Sequence, residues 1–376
     1  MRQTETILMI AGEKSADMLM APLAQQLKTT DPSCRIIGIG GQHLKGCVDE
    51  FLLDITHTSA IGIQGMLQQW STLRRFYRIL KQSVSETHID RVILADFQHQ
   101  NIRIAKILAQ KAIPIISFIT PNFWIWGSQK QAQKVIDISD KIIAIFEQEY
   151  QFYKQLCDKV MYCGHPLADI LPPKANIESI HKQGPLIALF PGSRQQEIQF
   201  YLSAMLDAIP KLRADNAHYR FVLVLSDPYF SHQIQKRVTQ KGVQVEIHEG
   251  KSPEILANAD CVICASGTVT LEAIFYETPM VVLAALSKVS YWVAKYILRI
   301  KLPYVSLPNI LAGKEVVKEL VQAEISADRI AHEVRQCLSD DQKAIKLTAA
   351  HQLSQHLFKE PFVYQNIVEL LMSESS

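Results

Sequence analysis

The stretch Leu189-Phe190-Pro191-Gly192-Ser193-Arg194-Gln195-Gln196-Glu197 has the residue types needed to grip an anion. An apolar run over residues 185–190 ends at a Pro-Gly turn, and a helical pattern opens directly after it. That order reads as strand, tight loop and helix N-terminus, where free N–H groups and the positive end of the helix dipole attract phosphate. Gly192 admits a close approach to the backbone. Ser193 can cap the helix, with Gln196 at the capping-box position, and Arg194 adds a planar, permanently charged donor. The same spacing also suits an ordinary capped helix with a surface arginine. A second junction of this kind reads Ala265-Ser266-Gly267-Thr268-Val269-Thr270-Leu271-Glu272. Its hydroxyl residues suit capping. Glu272 lies in the first turns, where a carboxylate can accept from ribose hydroxyls or simply complement the dipole.

A different chemistry is suggested by Asp96-Phe97-Gln98-His99-Gln100-Asn101, which follows the apolar run RVILA at residues 91–95. An aspartate that orients a nearby imidazole makes a general base. A helix-capping Asp96 beside an incidental His99 fits the same letters. Residues 59–66 (SAIGIQGM) form an apolar loop that includes Ile61, Ile63 and Met66. The helical pattern after it carries Trp70, Leu73, Phe76, Tyr77 and Leu80 on one face and Arg74, Arg75, Arg78 and Lys81 on the other. An apolar loop joined to a basic helix can rest on a membrane surface. A normal amphipathic helix with a solvated face has the same pattern.

The elements that must position these groups alternate along the whole chain. Strand patterns fall at residues 6–11, 35–40, 91–95, 113–119, 141–146 and 160–163, with helical patterns between them. After a Pro-rich linker at 171–176 the alternation restarts, with strands at 185–190, 220–225, 244–248, 260–265 and 279–284. Repeated strand–helix order implies parallel sheets covered by helices on both faces, with ligands at the carboxyl ends of the strands.

With 376 residues, two domains are expected. A hydrophobic content of 48% marks a globular chain, and a net charge of +2 argues against binding nucleic acid through bulk charge. Seven cysteines, an odd number thinly spread, form no disulfide framework and suit a reducing cytoplasmic compartment. Cys261 and Cys264 fall on opposite faces of one strand, a packing arrangement rather than a metal site. No signal peptide is visible, and no apolar run approaches the ~18 residues of a spanning helix.

Taken together, five stretches resemble the lipid-A-disaccharide synthase family of GT-B glycosyltransferases. They begin at Ala11-Gly12-Glu13-Lys14-Ser15-Ala16-Asp17 and Gly164-His165-Pro166-Leu167-Ala168-Asp169. Pro191-Gly192-Ser193-Arg194 and the Ala265–Glu272 stretch follow, and Tyr304-Val305-Ser306-Leu307-Pro308-Asn309-Ile310-Leu311-Ala312-Gly313 completes the set. The resemblance implies an α/β protein of two doubly wound Rossmann-like domains facing a central cleft. It assigns residues 1–170 to an acceptor and lipid-side domain, rejoined by C-terminal helices at 350–376, and residues 171–349 to a UDP-sugar-binding domain.

The activity it implies joins UDP-2,3-diacylglucosamine to 2,3-diacylglucosamine 1-phosphate through a β-1,6 bond, with inversion and release of UDP. No cofactor is implied, and the absence of a D-x-D motif suits a metal-independent enzyme. Gly192, Ser193, Arg194, Ser266, Gly267, Thr268, Glu272 and Asn309 become donor-binding candidates. His99, Asp96 and Glu13 become catalytic candidates, and the 59–81 region a foot on the cytoplasmic face of the inner membrane. Dimerisation through the C-terminal helices is compatible with the sequence.

Two departures matter. Lys14 and Ala16 replace an Ala and a Gly of the family's first loop, which is costly if the latter needs φ > 0. His99 stands where the family has its candidate base aspartate, with Asp96 and Asn101 matched on either side. A related GT-B enzyme using another UDP-sugar, or a homologue that only binds nucleotide or lipid, are the rival readings.

Overall fold

The computed structural model describes residues 4–56, 63–95, 97, 100–125, 128–179, 184–285 and 303–373, with side chains described for all of these except 63–70 and 340–343. Contacts group Met1–Ile170 with Leu357–Ser376 as one unit and Leu171–His356 as another.

The first unit is built on a parallel sheet of β1 (Thr6–Ala11), β2 (Arg35–Gly40), β3 (Glu50–Asp54), β4 (Arg91–Ala95), β5 (Ile115–Phe118), β6 (Lys141–Ala144) and β7 (Val160–Tyr162). Their order is β3-β2-β1-β4-β5-β6-β7. The helices are α1 (Lys14–Thr30), α2 (Gln42–Lys45), α3 (Ile63–Glu86), α4 (Asn101–Leu108), α5 (Gln129–Ile138), α6 (Glu147–Lys154) and α7 (Leu167–Ile170). The central strands are apolar throughout because helices cover both faces, so β1 is buried at all six of its positions.

The second unit repeats the plan with β8 (Leu186–Phe190), β9 (Arg220–Leu225), β10 (Glu246–Glu249), β11 (Cys261–Ala265), β12 (Met280–Ala284) and β13 (Lys318–Val321). The order is β10-β9-β8-β11-β12-β13. Its helices include α8 (Gln195–Asp215), α9 (Ser231–Lys241), α10 (Ser252–Asn258) and α11 (Thr268–Phe275), followed by Leu307–Ala312, Ala327–Leu338 and Asp340–Leu357. In each sheet the winding reverses between neighbours, β1/β4 in the first and β8/β11 in the second. Such a reversal opens a crevice at the carboxyl ends of those two strands. The loops singled out in the sequence follow these four strands.

The edge strands β3 and β13 escaped the sequence reading. EFLLD and KELV are partly exposed and lack a continuous apolar run. The expected strand at 113–119 is trimmed to Ile115–Phe118. Ile119 turns out of the ladder with φ 62°, unusual for a β-branched residue.

The amino ends of the sheets share one device. Asp90, Asp49, Asp140 and Asp260 each stand immediately before β4, β3, β6 and β11. The backbone N–H groups of these aspartates donate to the carbonyls of Thr6, Ile36, Ile115 and Leu186 on the neighbouring strands. Their carboxylates accept the N–H of the same four residues at 2.7, 2.7, 2.8 and 2.8 Å. Each aspartate is a two-way clamp that fixes its strand pair in register before the apolar ladder begins. A one-residue slip would break both bonds and reverse every side chain.

The chain's last helix, Val363–Met372, packs in the first unit. Tyr364 donates its N–H to Asp169 Oδ2 (2.9 Å) and its hydroxyl to the Leu19 carbonyl (2.7 Å), while Arg91 reaches the Leu371 carbonyl (2.9 Å).

Candidate functional site

In the second unit, β8 and β11 lie side by side with Cys264 opposite Phe190. The loops that follow them therefore leave the sheet together, but their helix ends are built differently.

At α8 the cap falls one residue later than expected. The N-cap is Arg194, not Ser193, and the reciprocal partner is Glu197, not Gln196. Glu197 Oε2 accepts the N–H of Ser193 at 2.8 Å and of Arg194 at 3.2 Å. Gly192 has φ 106°, and a Cβ on it would lie 2.2 Å from Glu197 Oε2. The expectation that Gly192 makes room for a phosphate is thereby corrected: the room is taken by the chain's own carboxylate. Arg194 Nη1 is 3.8 Å from Glu197 Oε1.

At α11 no side chain caps the helix. Gly267 is extended, and a Cβ on it would meet nothing within 4 Å. The Thr270 hydroxyl, a capping candidate, instead donates back to the Gly267 carbonyl at 2.7 Å. Ser266 is tied by its N–H to the Leu283 carbonyl (3.0 Å) and by its hydroxyl to the Val305 carbonyl (3.2 Å). Thr268 and Glu272 are four residues apart and share one side of the helix. Glu272 has no hydrogen-bonding partner among the described residues, and burial pushes its carboxyl up to about 7. This end of the unit thus presents helix N–H groups, hydroxyls and a carboxyl together, a set suited to a nucleoside diphosphate.

The side chain of Asn309, a donor-site candidate by its motif, is engaged within the protein. It is fully buried. Its amide donates to the Val317 carbonyl and Glu319 Oε1, both at 2.8 Å. Its oxygen accepts the N–H of Val316 (2.7 Å) and Val317 (2.9 Å). With both ends of the amide used internally, Asn309 shapes the chain around it. Glu319 completes the arrangement, accepting the N–H of Val305 (3.0 Å) and Ser306 (2.9 Å) and the Ser306 hydroxyl (2.6 Å). Because Ser266 binds the Val305 carbonyl, Glu319 also steadies the α11 loop.

In the first unit, Gly12 N–H donates to the Ala95 carbonyl at 3.3 Å, so the first loop leaves beside the end of β4. A Cβ on Gly12 would lie 2.4 Å from the Phe97 ring, which also packs edge-on to Phe76 with centroids 5.5 Å apart. Glu13 is the N-cap residue of α1. Asp96 and His99 lie outside the described residues. Ala16 sits buried inside α1 and is not among the described residues with positive φ, so its replacement of a glycine carries no backbone strain. Asp17, from the same motif, takes up the N–H of Gly41 (2.6 Å), His43 (3.0 Å) and Leu44 (3.2 Å).

Glu149 is buried and binds the loop after β5 to the end of β6. It accepts from the hydroxyl and N–H of Thr120 (2.5 and 3.3 Å) and from the N–H of Ile145 (2.9 Å) and Phe146 (3.4 Å). Burial still outweighs these donors and pushes its carboxyl up to about 6. His165 of the Gly-His-Pro motif is also buried, which pushes its imidazole down to about 3. It stays neutral and accepts the Leu167 N–H at 3.2 Å. Trp124 is buried with its ring 5.5 Å from that of Phe146.

On α3, Phe76, Leu80 and Val84 are buried while Arg74, Arg75 and Arg78 are exposed. Ile61 lies outside the described residues, and so do the side chains of Ile63 and Met66. Tyr77 donates to Gln100 Oε1 at 2.6 Å, joining α3 to the start of α4.

Sequence reasoning missed Glu197, Glu319 and Glu149 as the residues that hold these loops. Glu197 carried a local signal, standing three residues after an N-cap. Glu319 and Glu149 meet their partners only through the sheet.

The family profile described as Lipid-A-disaccharide synthetase matches residues 7–366. The lipid-A-disaccharide synthase of Myxococcus xanthus is 32% identical over 335 residues, covering 88% of this chain and 87% of its own. That of Geobacter sulfurreducens is 30% identical over 349 residues, covering 91% and 90%. Among solved structures, the UDP-GlcNAc 2-epimerase of Neisseria meningitidis bound to UDP-GlcNAc shares the fold with a TM-score of 0.66 at 15% identity, covering 98% of this chain and 100% of that one. Arabidopsis thaliana UGT89C1 complexed with UDP gives 0.62 at 12% identity, covering 99% of each.

The raised carboxyl of Glu272 has a stability consequence. Its contribution is present below the unfolded value near 4.5 and is lost as pH rises through about 7. Glu272→Gln is expected to leave stability little changed at pH 5 and to raise it at pH 8 by on the order of 2 kcal/mol. Denaturant unfolding at both pH values checks this, and an equal change at both would contradict it.

Proposed function

The chain belongs to the lipid-A-disaccharide synthase family, and from that premise we propose that it transfers a diacylglucosamine from its UDP carrier to 2,3-diacylglucosamine 1-phosphate. The second unit holds the donor. The uncapped N-terminus of α11, with Ser266, Gly267 and Thr268, takes the diphosphate, and the side chains of Ser193 and Arg194 add to it. Glu272 accepts from the ribose hydroxyls, which satisfies a carboxyl otherwise left without a partner. The observation that carries this reading is the pairing, among the described residues, of a helix end without a side-chain cap with the Glu272 carboxyl at the reversal of the sheet.

The first unit supplies the base. As the acceptor's 6-hydroxyl oxygen bonds to the anomeric carbon, its proton passes to His99 and the bond from that carbon to the UDP oxygen breaks, leaving the β configuration. Asp96 orients the ring, and Glu13 at the head of α1 is the remaining catalytic candidate.

No described helix is long and apolar enough to cross a membrane. Acylated substrates instead bring the protein to a lipid surface. The exposed Arg74, Arg75 and Arg78 of α3, with Ile61, Ile63 and Met66 before them, form the foot that meets the anionic headgroups.

Mass spectrometry of the products from UDP-2,3-diacylglucosamine and the monophosphate acceptor is expected to show the disaccharide 1-phosphate. His99→Ala should lose about 100-fold or more in turnover while still binding UDP. Full turnover in that variant would remove His99 from the mechanism. UDP binding without product in the wild-type protein would leave a nucleotide-binding homologue. Product only from another UDP-sugar would mean a different donor.

Changing Arg74, Arg75 and Arg78 to Glu should sharply reduce sedimentation with vesicles containing anionic phospholipid. Unchanged sedimentation would exclude this face as the foot.

A further inference from the structure

Of the two helix ends at the β8/β11 reversal, the one at α8 already holds an anion of the chain's own. At α8 the Ser193 and Arg194 N–H groups already hold Glu197 Oε2, at 2.8 and 3.2 Å. The side chain of Glu197 is only 20% exposed, and its root is fixed by Ile198, Tyr201 and Leu202, all buried in the core of the unit. Tyr201 is anchored in turn, because its hydroxyl accepts the Ala285 N–H at 2.7 Å. Gly192 answers the same constraint, since any Cβ there would run into Glu197. A phosphate on these amides would stand beside the carboxylate, and two anions sharing one set of donors repel each other.

We propose that Glu197 is a positioning residue that serves as the permanent anion of the α8 amide nest. It seats the Pro191–Arg194 loop so that Ser193 and Arg194 meet the donor through their side chains, and it directs the diphosphate to the end of α11. The carboxylate that holds the Arg194 backbone also lies 3.8 Å from its guanidinium, so one group sets both. This inference rests on the UDP-donor reading above and adds to it a residue that need not touch the ligand.

The test uses the full chain as wild type, Glu197→Ala, Glu197→Gln and Gly192→Ala, with UDP titrated calorimetrically in the absence and presence of ~100 mM sodium formate. Glu197→Ala is expected to bind UDP 10- to 100-fold more weakly, the loss attached to vacating a buried hydrogen-bonding site. Formate should refill the nest and restore most of that affinity, while leaving the wild type unchanged. Glu197→Gln, whose side-chain oxygen still accepts both N–H groups, should stay within about threefold of wild type. Gly192→Ala should show the defect with Glu197 intact, and formate should not repair it.

Tighter binding by Glu197→Ala would mean that the carboxylate competes with the diphosphate, and unchanged binding would mean that it does nothing for the donor. A loss shared by Glu197→Gln and untouched by formate would reduce Glu197 to packing. Each of these overturns the proposal. If the wild type binds no UDP, the donor reading fails first. The nest is then read from unfolding alone: formate must raise the midpoint of Glu197→Ala and not that of wild type, and no such rise also overturns the proposal.

Discussion

Backbone N–H groups at the ends of a parallel sheet lose their ladder partners, and in this protein side-chain carboxylates take them up. At the amino ends, Asp49, Asp90, Asp140 and Asp260 close each strand pair with a bond in both directions. At the carboxyl ends, Asp17, Glu149, Glu197 and Glu319 collect the N–H groups of the loops. An unpaired buried N–H costs about 1–3 kcal/mol, so each carboxylate with two or three donors removes a penalty that would otherwise fall on the loop carrying the chemistry. The first set fixes register, and the second fixes the shape of the edge where ligands collect. The apolar core supplies the bulk of the stability but does not distinguish one loop conformation from another.

That division explains why two helix ends of similar sequence do different work. α8 and α11 both follow a central strand through a Gly-containing turn. At α8 an internal acid satisfies the helix, so its end is closed. At α11 the acid lies a turn further on, at Glu272, without a hydrogen-bonding partner among the described residues and with its charge discouraged by burial. A loop whose own acids satisfy its amides is rigid and inert. A helix end left without a cap is unstable in isolation but available to a ligand. The loop in front of α11 is held rigid through Glu319, Asn309 and Ser266.

The fold was legible because doubly covered parallel strands are written as unbroken apolar runs. TILMIA, RIIGIG, RVILA and RFVLVL gave their strands without error in length. The edge strands β3 and β13 were not, since one open side mixes polar residues into the run. The junctions were legible too, because Pro, Gly and hydroxyl residues between a strand and a helix have few other uses. What could not be read was which acid meets which amide. Glu319 on β13 reaches back 13 residues to Ser306, and Glu149 reaches Thr120 from 29 residues away. The partners of Asn309 were hidden for the same reason: only the tertiary contacts show that its amide binds Val316, Val317 and Glu319.

A crystal structure with UDP bound tests the central claim most directly. The account predicts diphosphate oxygens within hydrogen-bonding distance of the N–H groups at the start of α11, the ribose against Glu272, and Glu197 still seated on the Ser193 and Arg194 N–H groups. A diphosphate resting on those two N–H groups, with Glu197 swung away, would contradict it.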